Sequence, residues 1–415
     1  NKAEIKLDHG YGIFATDGSI VNASGTTTND STITVTGKYQ IPSQAPTGGS
    51  NRTTSAENDP TGSNYGIVGI SKGRVSYNVD DAGNLINSID ITSTNTTIKV
   101  DGGESVDGAV TATGIYAKNV NADHNNVTIN YDDDNKNKSA GIEVQVGLKP
   151  GSRGVGIALV NDNPNGSGGI ITLKGYAGDL GSCAVNKNNI VTKESGIGIY
   201  GENADIILKS DKFTITTKDD GVGIWVTDNA KIAENANHTK TFEYNYEGKN
   251  NKNGFAMAFT GNKAGVTNAS NDLDIKFTNV KDTGVNLAYE RTESKAATPT
   301  ANKGTYKGIA GILVNTNDAL DTVTNYGKIK EEKSKTHVRT YGAVVNKGTF
   351  RNFGDITLNE SLSENANNIT SEDMKKVNIG IFANDLNDKE GGKNTYIENY
   401  ADIKIGDMTA GNSDK

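Results

Sequence analysis

Residues 222–226 read Val-Gly-Ile-Trp-Val, and this short stretch decides the fold because its pattern returns along the whole chain. Its kernel is a tetrad: any residue, glycine, an apolar residue, any residue. The glycines are Gly12, Gly66, Gly114, Gly141, Gly156, Gly198, Gly223, Gly254, Gly284, Gly311, Gly342 and Gly380. From Gly198 to Gly342 the successive intervals are 25, 31, 30, 27 and 31 residues, the mark of stacked structural repeats. Intervals of 54 and 48 near the start read as double periods in which one coil has lost its signature. The 15 residues from Gly141 to Gly156 are too few for a full coil, so one of that pair is not a repeat mark.

Around each tetrad the apolar residues alternate: Ile142, Val144, Val146; Val155, Ile157, Leu159; Val222, Ile224, Val226; Phe255, Met257, Phe259. Period two is strand spacing, not helix spacing. After most of these runs comes a turn rich in Asn, Asp and Gly, then a second short strand such as Ser31 to Val35, Asn126 to Asn130, Gly169 to Leu173, Phe213 to Thr216 or Leu273 to Phe277. A late variant is sharper: Val323-Thr-Asn-Tyr-Gly-Lys-Ile329, Phe350-Arg-Asn-Phe-Gly-Asp-Ile356 and Ile397-Glu-Asn-Tyr-Ala-Asp-Ile403 are three copies of apolar-x-Asn-aromatic-small-x-Ile.

Units of this size cannot bury their apolar faces alone and must stack. The expectation is an all-β, right-handed parallel β-helix of roughly 12 coils, a rod on the order of 60 Å long at the spacing of paired strands. The apolar residue after each signature glycine should fill the bore, and turn asparagines should stack into ladders. A series of β-sandwiches would need tight hairpins, and two-residue Asn-Gly or Asp-Gly turns between alternating runs are scarce. The six prolines, Pro42, Pro46, Pro60, Pro150, Pro164 and Pro299, fall between coil signatures, as a continuous ladder demands. They mark insertions into a single domain spanning 1–415, at about 37–63, 231–253, 289–307 and 359–378. The last carries Ser-x-x-Glu at 361–364 and could open a short helix.

Composition agrees. Of 415 residues, 49 are Gly, 52 Asn and 44 Thr, while AVILMFWYC make up only 34%, which suits an elongated fold with a thin core. The net charge of -8, with Lys and Arg scattered, argues against nucleic acid as partner and for a monomer. A single Cys183 excludes an internal disulfide and suits a chain exported unfolded. No run approaches 18 apolar residues. Asn1 and Lys415 are expected to be cut ends of something longer.

Gly-Ile-Gly-Ile-Tyr at 196–200, Tyr-Gly-Ile-Phe-Ala at 11–15 and the Asn-Tyr-Gly-Lys-Ile repeat resemble the passenger domains of type V autotransporter adhesins. The Asn, Lys and Asp bias further resembles the very large autotransporters of fusobacteria. The resemblance implies export through a C-terminal membrane barrel absent from this chain, display on the outer membrane outside the cell, and cell adhesion, virulence or coaggregation. Partners implied are a host cell-surface glycan, an immunoglobulin-like receptor, or partner bacteria.

Chemistry offers little beside this. A chymotrypsin-type site needs Gly-Asp-Ser-Gly with a base; at Gly178-Asp-Leu-Gly-Ser182 a leucine takes the nucleophile's place. Polyuronate-cleaving β-helix lyases or hydrolases are the enzymatic alternative, with Asp80-Asp81, Asp132-Asp133-Asp134 and Asp219-Asp220 as candidate acids. None has the accompanying His or Arg-x-Lys pattern. Asp132 to Asp134 is read as a solvated turn with some capacity for Ca²⁺, and Asp219-Asp220 as a turn. His9, His124, His238 and His337 are dispersed and give no metal spacing. No catalytic residue, metal or cofactor is expected.

Binding residues can be placed more closely. If the residue after each glycine faces inward, alternation puts the glycine and the next residue outward. Those next residues are Phe14, Val68, Tyr116, Glu143, Ala158, Tyr200, Trp225, Ala256, Asn286, Leu313, Val344 and Phe382. Such a stripe must be covered by insertions or by a ligand centred on Tyr200 and Trp225, with Tyr116 nearby. Phe242, Tyr244 and Tyr246 share one strand face and form either a packed stack or a further sugar platform.

Overall fold

The computed structural model describes residues 4–8, 10–16, 20–26, 31–36, 64–71, 89–102, 111–119, 127–133, 140–145, 153–161, 169–175, 188–193, 195–228, 230–234, 240–248, 253–261, 268–282, 308–332, 340–359, 378–383 and 395–406. Among these, every regular element is a strand and every pairing is parallel. A representative coil runs Val222–Thr227, Lys231–Glu234, Thr241–Gly248. Its three strands enter three different ladders, here called sheets B, C and A, and each pairs with the equivalent strand one coil before and one coil after. The 13-residue strand Thr340–Asn352 passes from sheet B into sheet C without a break. The fold is a parallel β-helix.

The bore is one continuous hydrophobic cluster. In sheet B the residue after the glycine forms a column in register: Ile13, Ile67, Ile115, Ile157, Ile199, Ile224, Met257, Ile312, Ala343, Ile381. Ile67, Ile115 and Ile312 are fully buried and Ile224 is 1% exposed, as the alternation predicts. Facing them, sheet A contributes Ile33, Ile98, Ile142, Ile190 and Ile215, also in register.

The glycines depart from the expectation. They do not face outward. A Cβ on Gly66 would lie 2.5 Å from the carbonyl oxygen of Gly114 in the next coil and 2.5 Å from Ile98 Cγ2 in the bore, and Gly114 meets Gly156 and Ile142 in the same way. Thus Gly156 and Ile157 both turn inward between outward Val155 and Ala158, and strand alternation skips a beat at every signature. Glycine fits there because a sheet A side chain packs directly on the bare backbone, an isoleucine at eight of the signatures and Phe242 with Tyr244 at Gly223.

The described strands make ten coils rather than twelve. Gly141 opens the sheet A strand Ile142–Gln145 and is not a repeat mark, and Gly284 lies outside the described residues. Gly254 is not in the column either, since Ala256 takes the position below Gly223. The expected insertion at 231–253 is a correction as well: Lys231–Glu234 and Thr241–Gly248 are coil strands. Residues 37–63, 289–307 and 360–377, including the candidate helix at 361–364, lie outside the described residues.

At the corner between sheets C and A the Asn-aromatic-small repeat becomes two ladders. Asn271, Asn325 and Asn352 each donate Nδ2 to Oδ1 of the next asparagine, ending on Asn399, at 2.8, 2.8 and 2.7 Å. The same amides close their own turns onto the carbonyls of Leu273, Gly327 and Gly354. Outside this ladder Tyr326, Phe353 and Tyr400 stack nearly parallel, with centroids 5.4 and 4.8 Å apart. Replacing fully buried Asn352 by Ala leaves a donor and two acceptors unmatched and is expected to cost about 2–3 kcal/mol. Exposed Asn399→Ala should cost well under half of that, and thermal melts of the two variants check the difference.

Candidate functional site

The outer face of sheet B carries a second apolar surface. The residues two after each signature position, a glycine in nine coils and Ala256 in the other, stand in register through all ten coils: Phe14, Val68, Tyr116, Ala158, Tyr200, Trp225, Ala258, Leu313, Val344, Phe382. Every one is apolar or aromatic. Against the sequence expectation, Glu143 drops out with its false repeat mark, Ala258 replaces Ala256, which lies in the bore, and Asn286 is outside the described residues. A parallel column, Tyr11, Tyr65, Thr113, Val155, Ile197, Val222, Phe255, Ala310, Tyr341, Ile379, runs beside it. Toward the two ends the columns are covered, with Val68, Val344 and Tyr341 fully buried and Tyr65 nearly so, and Ala158 and Ala258 are buried as well, whereas Tyr116, Tyr200, Trp225 and Leu313 remain partly exposed and Phe14 is 52% exposed.

Tyr200 and Trp225 occupy adjacent coils and meet edge to face, with centroids 5.8 Å apart and planes at 86°. Trp225 Nε1 donates to Thr260 Oγ1 at 2.8 Å, which fixes the indole plane. The Tyr200 hydroxyl donates to Glu202 Oε2 at 3.0 Å. Burial pushes that phenol's pKa up, and the Glu202 carboxylate adds to the shift, so the hydroxyl stays a donor. The Arg153 guanidinium lies over the indole, 5.3 Å from its centroid. Tyr116 sits further along the same column, two coils before Tyr200, with its ring 5.7 Å from that of Tyr65. The site is therefore a row of amphipathic rings with one cation and hydrogen-bonding edges, suited to recognition.

The other aromatic candidates are placed differently. Phe242, Tyr244 and Tyr246 point into the bore and are at most 4% exposed, packing at 6.3 and 6.5 Å. Tyr244 Oη donates to the Gly221 carbonyl at 3.0 Å and lies 2.8 Å from Thr217 Oγ1. They form the packed stack and present no sugar platform.

Asp132 and Asp133 are a second correction. Both belong to the strand Val127–Asp133 rather than to a solvated turn. Asp133 is 1% exposed and accepts the Tyr131 hydroxyl at 3.1 Å, while Asp132 pairs with Lys174 at 2.9 Å. Inserting two carboxylates into this corner is tolerable because each has a donor beside it. Asp219 and Asp220 form a bend in which Asp220 has φ of 56° and accepts the Asn253 N–H. Among the described residues, no three His, Cys, Asp or Glu side chains come together in a geometry for a metal ion. Asp80, Asp81, Asp134, the four histidines, Cys183 and the Gly178–Ser182 segment lie outside the described residues.

Sequence reasoning missed Arg153, Thr260 and Glu202. Glu202 has a local signal, two residues from Tyr200 on the same strand face. Arg153 has none, since it reaches Trp225 across two coils. Comparison with family models, curated proteins and solved structures finds no match for the chain.

Proposed function

We propose that this chain is a non-catalytic surface adhesin, the passenger segment of a bacterial autotransporter displayed outside the cell on the outer membrane. The ligand is a host cell-surface glycan, an immunoglobulin-like receptor or a partner bacterium, and it docks on the outer face of sheet B. One observation carries this reading: an unbroken apolar column in register over ten coils, with half-exposed tyrosines and a tryptophan at its centre, on a rigid rod. The rod architecture and the repeats that resemble autotransporter passengers supply the class of adhesin.

The test is to measure saturable retention of the fluorescently labelled chain on epithelial and bacterial cells, alongside incubation with polyuronates, glycosaminoglycans and casein. The adhesin reading expects retention and no products. Reproducible cleavage that Asp219→Asn or Asp133→Asn abolishes would replace it with a polysaccharide lyase or hydrolase.

A further inference from the structure

Arg153 gives the stripe a charge preference. It is the exposed first residue of the sheet B strand Arg153–Asn161, and its guanidinium crosses the coil of Tyr200 to rest over Trp225 in the coil beyond. Among the described residues no carboxylate is in ion-pair contact with it. The acidic groups nearest the rings are otherwise engaged: Glu202 accepts the Tyr200 hydroxyl, and Asp228 Oδ2 faces Thr227 Oγ1 at 3.5 Å. A guanidinium is charged at every physiological pH and offers a planar fork of N–H donors that matches a carboxylate. With its inner face on an indole held by Thr260, the fork is pre-organised and only its edge is left to bond.

We propose that Arg153, Trp225 and Tyr200 form a subsite for a carboxylated pyranose, a sialic or uronic acid residue. Its carboxylate takes the Arg153 fork and its ring rests against the half-exposed Tyr200. This rests on the reading of sheet B as the binding face and adds the chemical class of the ligand. A cation with no ion-pair partner among the described residues, laid over an apolar stripe on a chain of net charge -8, is the complement of an acidic sugar and not of a neutral one.

The protein's one tryptophan is at the subsite, so its emission reports occupancy directly. Free N-acetylneuraminic acid and glucuronic acid, with N-acetylglucosamine and glucose as neutral controls, are titrated into the whole chain while Trp225 fluorescence is followed. A saturable change is expected with at least one acid and none with the neutral sugars. Arg153→Gln should raise the half-saturating concentration at least about tenfold, and Arg153→Lys should raise it less, because a point charge keeps the attraction but loses the fork. Circular dichroism confirms that both variants fold. Equal responses to neutral and acidic sugars, an unchanged Arg153→Gln titration, or no saturable change with either acid would each overturn the subsite. If cell retention persists in those cases, the adhesin reading stands with another ligand; if retention is also lost, both fail.

Discussion

Ile224→Asp is expected to collapse the middle of the rod. Ile224 is 1% exposed in the bore, between Ile199 and Met257 in the neighbouring coils of sheet B. The substitution forfeits the burial of a large apolar side chain and places a carboxylate where only aliphatic and aromatic groups surround it, a loss on the order of 5 kcal/mol. In a solenoid each coil is stabilised chiefly by its neighbours, so the damage spreads to adjoining coils instead of staying local. Circular dichroism should show lost β signal or a melting temperature far below wild type. Ile224→Val, which keeps the register and removes one methylene, should cost only about 0.5–1.5 kcal/mol. An Asp variant that melts like wild type would mean that the residue after each glycine does not line the bore.

The parallel β-helix was legible because two physical signals coincide in the tetrad: period-two apolar runs name the strands, and their return along the chain names the stacking. Of the regular intervals only the 25 from Gly198 to Gly223 and the 31 from Gly311 to Gly342 separate adjacent coils, and the 54 and 48 read as double periods are single coils with long connections, since Gly12, Gly66 and Gly114 lie on directly paired strands. The bore column followed, and Ile67, Ile115, Ile224 and Ile312 stand in it. The coil count did not follow, because glycine marks close backbone approach and not a coil as such. Gly141 lies against the Tyr131 hydroxyl at a different corner, and Gly254 lies against the ring of Tyr246, two residues from the column position held by Ala256. The direction of the glycines was misread for a related reason. Strict alternation sends them outward, whereas the strand admits two successive inward residues where a sheet A side chain, isoleucine in most coils and Phe242 at Gly223, reaches the backbone.

At the site, the column from Tyr116 through Tyr200 to Trp225 could be read from spacing alone, because it repeats with the bore. The placement of Phe242, Tyr244 and Tyr246 could not, since one strand's alternation does not say which of its faces meets the bore. Arg153 is 72 positions from Trp225, and only the stacking of three coils brings them together. The burial of Asp133 was hidden by its acidic neighbours, which read as a loop until the Tyr131 hydroxyl supplies a partner.

The double substitution Trp225→Ala with Tyr200→Ala tests the central claim most directly. Both side chains lie outside the bore, so their removal spares the inner cluster that holds the coils together. If the stripe is the binding face, the pair contributes at least about 2 kcal/mol to association, and retention of the labelled chain on target cells should fall by about 10-fold or more. The melting temperature should stay nearly unchanged. Retention equal to wild type, together with a large drop in melting temperature, would assign the stripe to packing and contradict the account.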